Sequence, residues 1–313
     1  MRRTLALAIA VLLPAAALAE PLDIDLGQLG APDPGVWMHA EGGASPTAND
    51  VQLADEAKAR FGMLASDLAL AFTSTLLTPG STTGHSGFDI ALEGGYAQTH
   101  VNVVGGASSA ALAFGPRDYW PTPGMKPHEL FVPGVRIRKA LPFSFELGAR
   151  FKYLSQSALY AGQLETKWAF FEGDRVLPDF ALRIAYTRIV GARTLNLGAT
   201  DFDFIVSKRW GVLGVVGLTP YGALRFTYMR ASSDPIVFFP DAAAGSQEQR
   251  TASFPKLTTT FFRPTLGLRM TAYALSLAAE ITQYGGGEFK PADYPTFRVK
   301  PSLAGSFRLG FEF

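Results

Sequence analysis

From Ser86 to its carboxyl end the chain alternates apolar and polar residues with a period of two, and this constrains the fold more than any other feature. "FSFELGARFKY" sets Phe143, Phe145, Leu147, Ala149, Phe151 and Tyr153 on one face and Ser144, Glu146, Gly148, Arg150 and Lys152 on the other. "QLETKWAF" repeats the rule, with Leu164, Thr166, Trp168 and Phe170 opposite Gln163, Glu165, Lys167 and Ala169. "FALRIAY" places Arg183 on the polar side, and "DFDFIVSK" places Asp201 and Asp203 there. "GALRFTY" and "RPTLGLRM" add Arg225, Arg263 and Arg269. A period of two belongs to β-strands, whose successive side chains point to opposite faces. The fold class is all-β.

A half-buried soluble sheet would alternate as well, but three features point to a membrane. All but one of the predicted strands run ~12 to 16 residues, longer than the usual five or six and long enough for a tilted bilayer crossing. The apolar parity is rich in Phe, Tyr and Trp, as a lipid-facing band with aromatic girdles requires. The third feature is the spacing of the predicted strands, 86–98, 128–139, 143–154, 158–171, 178–190, 194–209, 213–230, 256–271, 273–286 and 299–313. The connections after the second, fourth, sixth and eighth are brief ("ALP", "EGDRVL", "WGV", "TA"), and the long ones (99–127, 231–255, 287–298) all fall on the opposite side. Barrels of outer membranes have short periplasmic turns and longer outer loops, and an even strand count. The pattern predicts a transmembrane antiparallel β-barrel of about ten strands, with both chain ends on the periplasmic side; twelve strands result if 101–114 pairs into the sheet.

The two termini agree. "MRRTLALAIAVLLPAAALAEP" has two arginines, an apolar stretch from Leu5 to Leu13 and "ALA" before Glu20, the pattern of a secretory signal cleaved after Ala19. At the other end, "GSFRLGFEF" closes the chain with Phe307, Leu309, Phe311 and Phe313 on alternate residues. This ending resembles the carboxyl-terminal insertion signal of bacterial outer-membrane β-barrel proteins, although that family often carries Gly where this chain has Arg308. The resemblance implies that the last strand is read by the barrel assembly machinery and that the mature chain sits in outer-membrane lipid.

Composition excludes several classes. The formal charge of +1 falls to −1 when Arg2 and Arg3 leave with the signal, so there is no electrostatic footprint for nucleic acid. The chain has no cysteine, hence no disulfide, no thiolate metal site and no lipoprotein anchor. No apolar run of ~18 residues follows the signal, which argues against helical spans. The histidines His39, His85, His100 and His128 are scattered without ligand spacing, and no cofactor is implied. "TTGHSGFD" places His85 beside Ser86, but adjacent residues on a strand point to opposite faces and cannot act as base and nucleophile. We predict no catalytic residue; an outer-membrane lipid hydrolase is the third reading.

The chain divides into the signal (1–19), an N-terminal segment (20–85) and the barrel (86–313). The N-terminal segment opens with a Pro-, Gly- and Asp-rich stretch. Asn49 or Asp50 then caps a predicted helix over 51–77, ended by Pro79 and Gly80. Its stripe of Val51, Ala54, Ala57, Phe61, Leu64, Leu68 and Phe72 is amphipathic. It packs on the periplasmic mouth, forms an early strand in its second half, or plugs the lumen. The mouth is preferred, because an apolar stripe fits poorly against a charged lumen. Inward parity assigns that lumen ten cations, Arg136, Arg138, Arg150, Lys152, Lys167, Arg183, Arg225, Arg263, Arg269 and Arg308. Against them stand Glu146, Glu165, Asp201, Asp203, Glu280 and Glu312. Such charges either pair across a narrow barrel and fill it or line a passage with a modest preference for anions. The loop at 234–250 carries Ile236, Val237, Phe238 and Phe239, an apolar tip that meets a ligand, a partner or the outer leaflet. The function expected is a passive or gated conduit for a small solute, anionic or apolar. The alternative is a structural or adhesive barrel with a closed lumen.

Overall fold

The computed structural model describes residues 22–37, 45–73, 75–99, 104–105, 119–122, 127–212, 215–239, 249–284, 287–289, 293–295, 297–299 and 301–313. The signal region, His39, His100 and most of 101–114 lie outside the described residues. Ten strands form the barrel: β1 (Phe88–Gln98), β2 (Glu129–Leu141), β3 (Phe145–Tyr153), β4 (Tyr160–Phe171), β5 (Asp179–Val190), β6 (Leu195–Ser207), β7 (Val216–Ser233), β8 (Leu257–Ala272), β9 (Leu275–Tyr284) and β10 (Ser302–Glu312). Each pairs antiparallel with the next, and β10 returns to β1 through Asp89↔Glu312 to Ala97↔Ala304. No barrel edge is left unpaired, which is what lets strands span a membrane.

Short strands lie outside the closed ring. Trp210–Val212 extends β7 as a hairpin at the short-turn end. Val104–Gly105 pairs with Phe297–Val299, which pairs with Gly287–Phe289, in a separate three-stranded sheet. The described part of 101–114 therefore joins this small sheet and not the barrel, whose strand number is ten. Tight turns reverse the chain at one end, with Phe143 and Ser144 (φ 62° and 60°) after Pro142 and Tyr273 (φ 50°) before β9. Long connections occupy the other end.

The alternation reads directly onto the wall. Ile90, Leu92, Ile137, Leu147, Phe151, Trp168, Phe202, Phe226 and Leu266 face outward, and the charged parity faces in. Phe307, Leu309, Phe311 and Phe313 lie on the outside of β10, with Phe307 spread over Gly94 of β1.

The long helix spans Ala48–Thr73, three residues earlier at its start and four shorter at its end than the sequence predicts. The cap is Thr47: its Oγ1 accepts from the Asp50 amide (3.3 Å) while Asp50 Oδ2 accepts from the Thr47 amide (2.8 Å). This reciprocal pair satisfies two donors at the helix start. The helix stops at Thr73 because barrel cations claim its last carbonyls. Lys152 Nζ donates to Phe72 O (2.5 Å), and Arg225 and Arg263 each donate to Thr73 O (3.0 Å). Cations are favoured at the negative end of a helix dipole.

The helix does not sit at the short-turn mouth. It lies at the long-connection end, with its carboxyl end pointing into the lumen. Leu22 N bonds Gln156 O (2.9 Å) and Asp23 Oδ1 accepts from Ala158 N (2.8 Å), so the start of the described chain is tied to the connection between β3 and β4. From Thr75 to Thr83 the chain crosses the lumen as an extended strap and enters β1 at the short-turn end. The N-terminal segment thus begins at the opposite end of the barrel from Phe313. The apolar stripe fits because the lumen is not charged throughout. At the long-connection end, inward residues such as Leu130, Val132, Ile189, Leu197, Met229 and Leu257 are apolar and pack on Phe61, Leu64, Leu68 and Phe72.

Candidate functional site

The lumen at mid-height is one continuous network of charge pairs. Arg136 bridges Glu93 (3.0 Å) and Glu165 (2.9 Å), and Arg150 reaches the same two carboxylates (3.5 and 3.2 Å). Arg183 joins Glu165 (2.6 Å) to Asp203, and Asp203 also accepts from Arg225 (3.1 Å). Asp201 takes Arg263 (2.6 Å) and Thr227 Oγ1 (2.5 Å). Lower down, Arg138 bridges Asp89 (2.8 Å) and Glu146 (3.2 Å), and Lys167 also pairs with Glu146 (2.7 Å). Arg308 joins Asp89 to Glu312, which also pairs with Arg269. All sixteen sequence-predicted lumen residues face the interior, and Glu312 and Arg269 lie nearest the short-turn mouth.

Two further carboxylates stand outside those sixteen. Asp89 and Glu93 are buried on β1 and anchor four of the pairs above. Their signal is present in "FDIALEGG", where Phe88, Ile90 and Leu92 alternate with Asp89, Ala91 and Glu93. With them, eight carboxylates oppose the ten cations, and strap carbonyls take up much of the rest, so the lumen carries no exposed basic excess.

The strap is held mainly through its own backbone, with the hydroxyls of Thr75, Thr78, Thr82 and Thr83 adding further bonds to the wall. Arg150 donates to Thr75 O (2.6 Å) and Leu76 O (2.8 Å), and Arg136 to Leu76 O and Leu77 O (both 3.3 Å). Lys167 donates to Pro79 O (3.2 Å) and Ser81 O (2.7 Å). The amides of Leu76 and Leu77 converge on Glu280 (2.6 and 2.7 Å), a geometry set by the left-handed backbone at Leu77 (φ 50°). Tyr221 Oη completes that carboxylate's shell at 2.8 Å. Gly267 stands between Tyr221 and Glu280 in register, and a Cβ there would lie 2.2 Å from the Tyr221 ring. Only glycine lets the ring lie across to Glu280. The Leu76 side chain fills a pocket of Ala169, Ala181, Ile205, Tyr221 and Ala223. Further down, Thr83 N bonds Glu146 (2.7 Å) and Thr82 N bonds Glu172 (2.6 Å). A buried chain without regular structure must satisfy its backbone groups elsewhere; here the wall does it.

Above the strap, the N-terminal segment and the long connections form an apolar cap. Phe61 stacks on Phe254 with centroids 4.5 Å apart, and Leu22, Leu26, Leu29, Trp120 and Leu159 join the same core. Tyr119 donates to Asp67 (2.6 Å); burial and that carboxylate push its hydroxyl well above the ordinary value, so it remains a donor. Ile236 and Phe238 are buried in this core, on the short strand Ile236–Phe238 that pairs with Arg250–Ala252. They do not belong to an exposed tip; alternation sends them inward and leaves Val237 and Phe239 outside. Below the strap, a cavity of about 790 Å³ lies at the short-turn end, lined by Thr82, Glu172, Asp179, Lys208, Arg269 and Glu312 among others.

His85 and Ser86 are exposed in the turn before β1, and among the described residues neither side chain is bonded to a base or acid there. Among the described residues no group of three His, Asp or Glu is placed to hold a metal ion.

A closed antiparallel ring with an aromatic, apolar exterior and a charged interior is a transmembrane β-barrel. No family model and no curated protein matches the chain. Among solved structures it is similar to the N-terminal β-barrel domain of OprF from Pseudomonas aeruginosa, at 13% identity over 74% of this chain and 99% of that one, TM-score 0.28. It is similar to the translocator domain of the autotransporter NalP from Neisseria meningitidis, at 12% identity over 83% and 97%, TM-score 0.40. A third is Neisserial surface protein A, at 12% identity over 72% and 95%, TM-score 0.27. These likenesses concern barrel architecture and do not extend to function.

Proposed function

We propose that the protein is an outer-membrane barrel serving as a gated conduit for a small polar solute, with the strap as its gate. On this reading the chain is exported by its signal, inserted through Phe307, Leu309, Phe311 and Phe313 by the barrel assembly machinery, and set with its short turns in the periplasm. The cap then faces the exterior. One observation carries the proposal. Most wall charges pair with one another across strands, whereas the strap is an insert held by its backbone and threonine hydroxyls. Among the described residues three lumen charges, Lys152, Glu280 and Glu172, lack an opposite charge in salt-bridge reach and take partners from the helix end and the strap. Withdrawal of the strap leaves a charged lumen intact, suited to hydrated solutes. An always-open passage does not fit a lumen crossed by residues 75–83, and an apolar entry through Phe238 does not fit its burial.

Single-channel conductance of residues 20–313, beside a version lacking 20–80, tests this. Steady current only after truncation is the expected result. Silence from both, with folding shown by a heat-dependent gel shift, removes the conduit and leaves the second reading. That reading is a closed structural or adhesive barrel, favoured by the exposure of Val237 and Phe239 on the cap (48% and 51%).

A further inference from the structure

The outer wall carries a cationic groove that the conduit does not use. On β5, β6 and β7 the outward residues fall into rows set by strand register. Arg188, Gly198 and Arg230 stand directly across from one another, as do Tyr186, Thr200 and Tyr228 in the next row. Below these come Ile184, Phe202 and Phe226. Toward the long-connection end the wall therefore passes from apolar to tyrosine to arginine, one row of about 7 Å at a time. Tyrosines mark the membrane–water boundary, which places both arginines at headgroup height.

The two arginines flank a notch. Gly198 lies between them with the Tyr186 hydroxyl over it, and Asn196, Thr200, Tyr228 and Ser232 complete the lining. The resulting groove measures about 410 Å³. Strands ~4.8 Å apart set the two arginine backbones roughly 10 Å apart, so both guanidinia reach one group between them. Arg188 donates to Asn196 Oδ1 (2.9 Å), and among the described residues neither arginine is paired with a carboxylate. This differs from the lumen, where the arginines meet carboxylates. Two guanidinia without a carboxylate on a membrane face, with tyrosine hydroxyls beneath, match a phosphate in geometry and charge.

We propose that this groove binds the phosphate-bearing headgroup of an anionic lipid in the leaflet at the long-connection end. The proposal rests on the chain spanning a membrane, but not on any transport activity. The experiment is native mass spectrometry of the folded full-length protein in neutral detergent, titrated with diphosphoryl lipid A and, separately, with phosphatidylcholine. A single lipid A adduct is expected, with phosphatidylcholine far weaker. The double variant Arg188→Gln/Arg230→Gln should weaken it about ten-fold or more, the double Lys variant less, and Gly198→Leu should weaken it with both arginines in place. Equal binding by the Gln variant, or by phosphatidylcholine, overturns the proposal. Displacement of the lipid by inorganic phosphate also overturns it, in favour of a free-anion site. Both arginines are exposed, so the variants should keep the heat-dependent gel shift. Loss of that shift in the wild type would instead overturn the barrel reading.

Discussion

Mid-lumen and the long-connection end are two stretches of one interior, filled in opposite ways. On β7 the inward side chains run Tyr221, Ala223, Arg225 and Thr227 and then, two residues on, Met229 and Ala231. On β6, Asp201 and Asp203 give way to Leu197 and Leu195. The charged stretch has to satisfy every cation and carboxylate in a space closed to bulk solvent, so it recruits the strap's amides and carbonyls. The apolar stretch has only area to bury, so it accepts a helix face. The first arrangement is specific in geometry and weak in net energy, because desolvation offsets the Coulomb gain. The second stabilises by burial at roughly 25 cal/mol per Å². A plug joined to both is positioned by the charges and retained by the cap.

Four experiments test that division. Arg136→Ala should have the largest effect, since it leaves Glu93 with Arg150 alone at 3.5 Å and removes one of the three cations on Glu165. A loss of about 3–5 kcal/mol is expected, read as a lower urea midpoint for the barrel's gel shift. An unchanged midpoint would mean that the network is hydrated and contributes little. Phe61→Ala should cost the cap about 3–5 kcal/mol by opening a cavity against Phe254. Proteolysis should then cut the helix Ala48–Thr73 while the barrel midpoint holds; a matching fall in the barrel would erase the distinction between the two regions. Glu280→Gln removes the charge that gathers the Leu76 and Leu77 amides, at about 1–3 kcal/mol. Hydrogen exchange at those two amides should quicken with the helix amides unaffected, and uniform quickening would show that strap and cap move together. Paired Val237→Ser and Phe239→Ser changes should shift stability by no more than about 0.5 kcal/mol, whereas Phe238→Ser, one residue away in the cap core, should exceed that several-fold.

Much of the architecture is legible in the chain itself. The ten strands fall within about three residues of the expected spans, since alternation is a local signal that repeats over every crossing. Asp89 and Glu93 obey the same parity rule, and extending it to β1 finds them. The helix is legible as a helix but its place is not. Its apolar face enters the lumen, against expectation, because Leu130, Leu197, Met229 and Leu257 become neighbours only when four strands are set in register. In the same way Ile236 and Phe238 look no different in sequence from Val237 and Phe239 until Arg250–Ala252 pairs beside them.

Residue identity alone specifies the barrel: the faces of each strand, the even count, the aromatic exterior and the closing strand at Phe313. These follow from a two-residue period, which needs no knowledge of distant contacts. Three things are settled only by the folded ring: what fills the barrel, from which end the N-terminal segment enters, and which arginines are left without a carboxylate. The strap is recognised mostly through backbone amides and carbonyls, aided by the hydroxyls of Thr75, Thr78, Thr82 and Thr83, and none of these groups shows in sequence which wall charge it will meet. Its partners come from β2, β3, β4 and β9, and only closure of the ring brings them around one path.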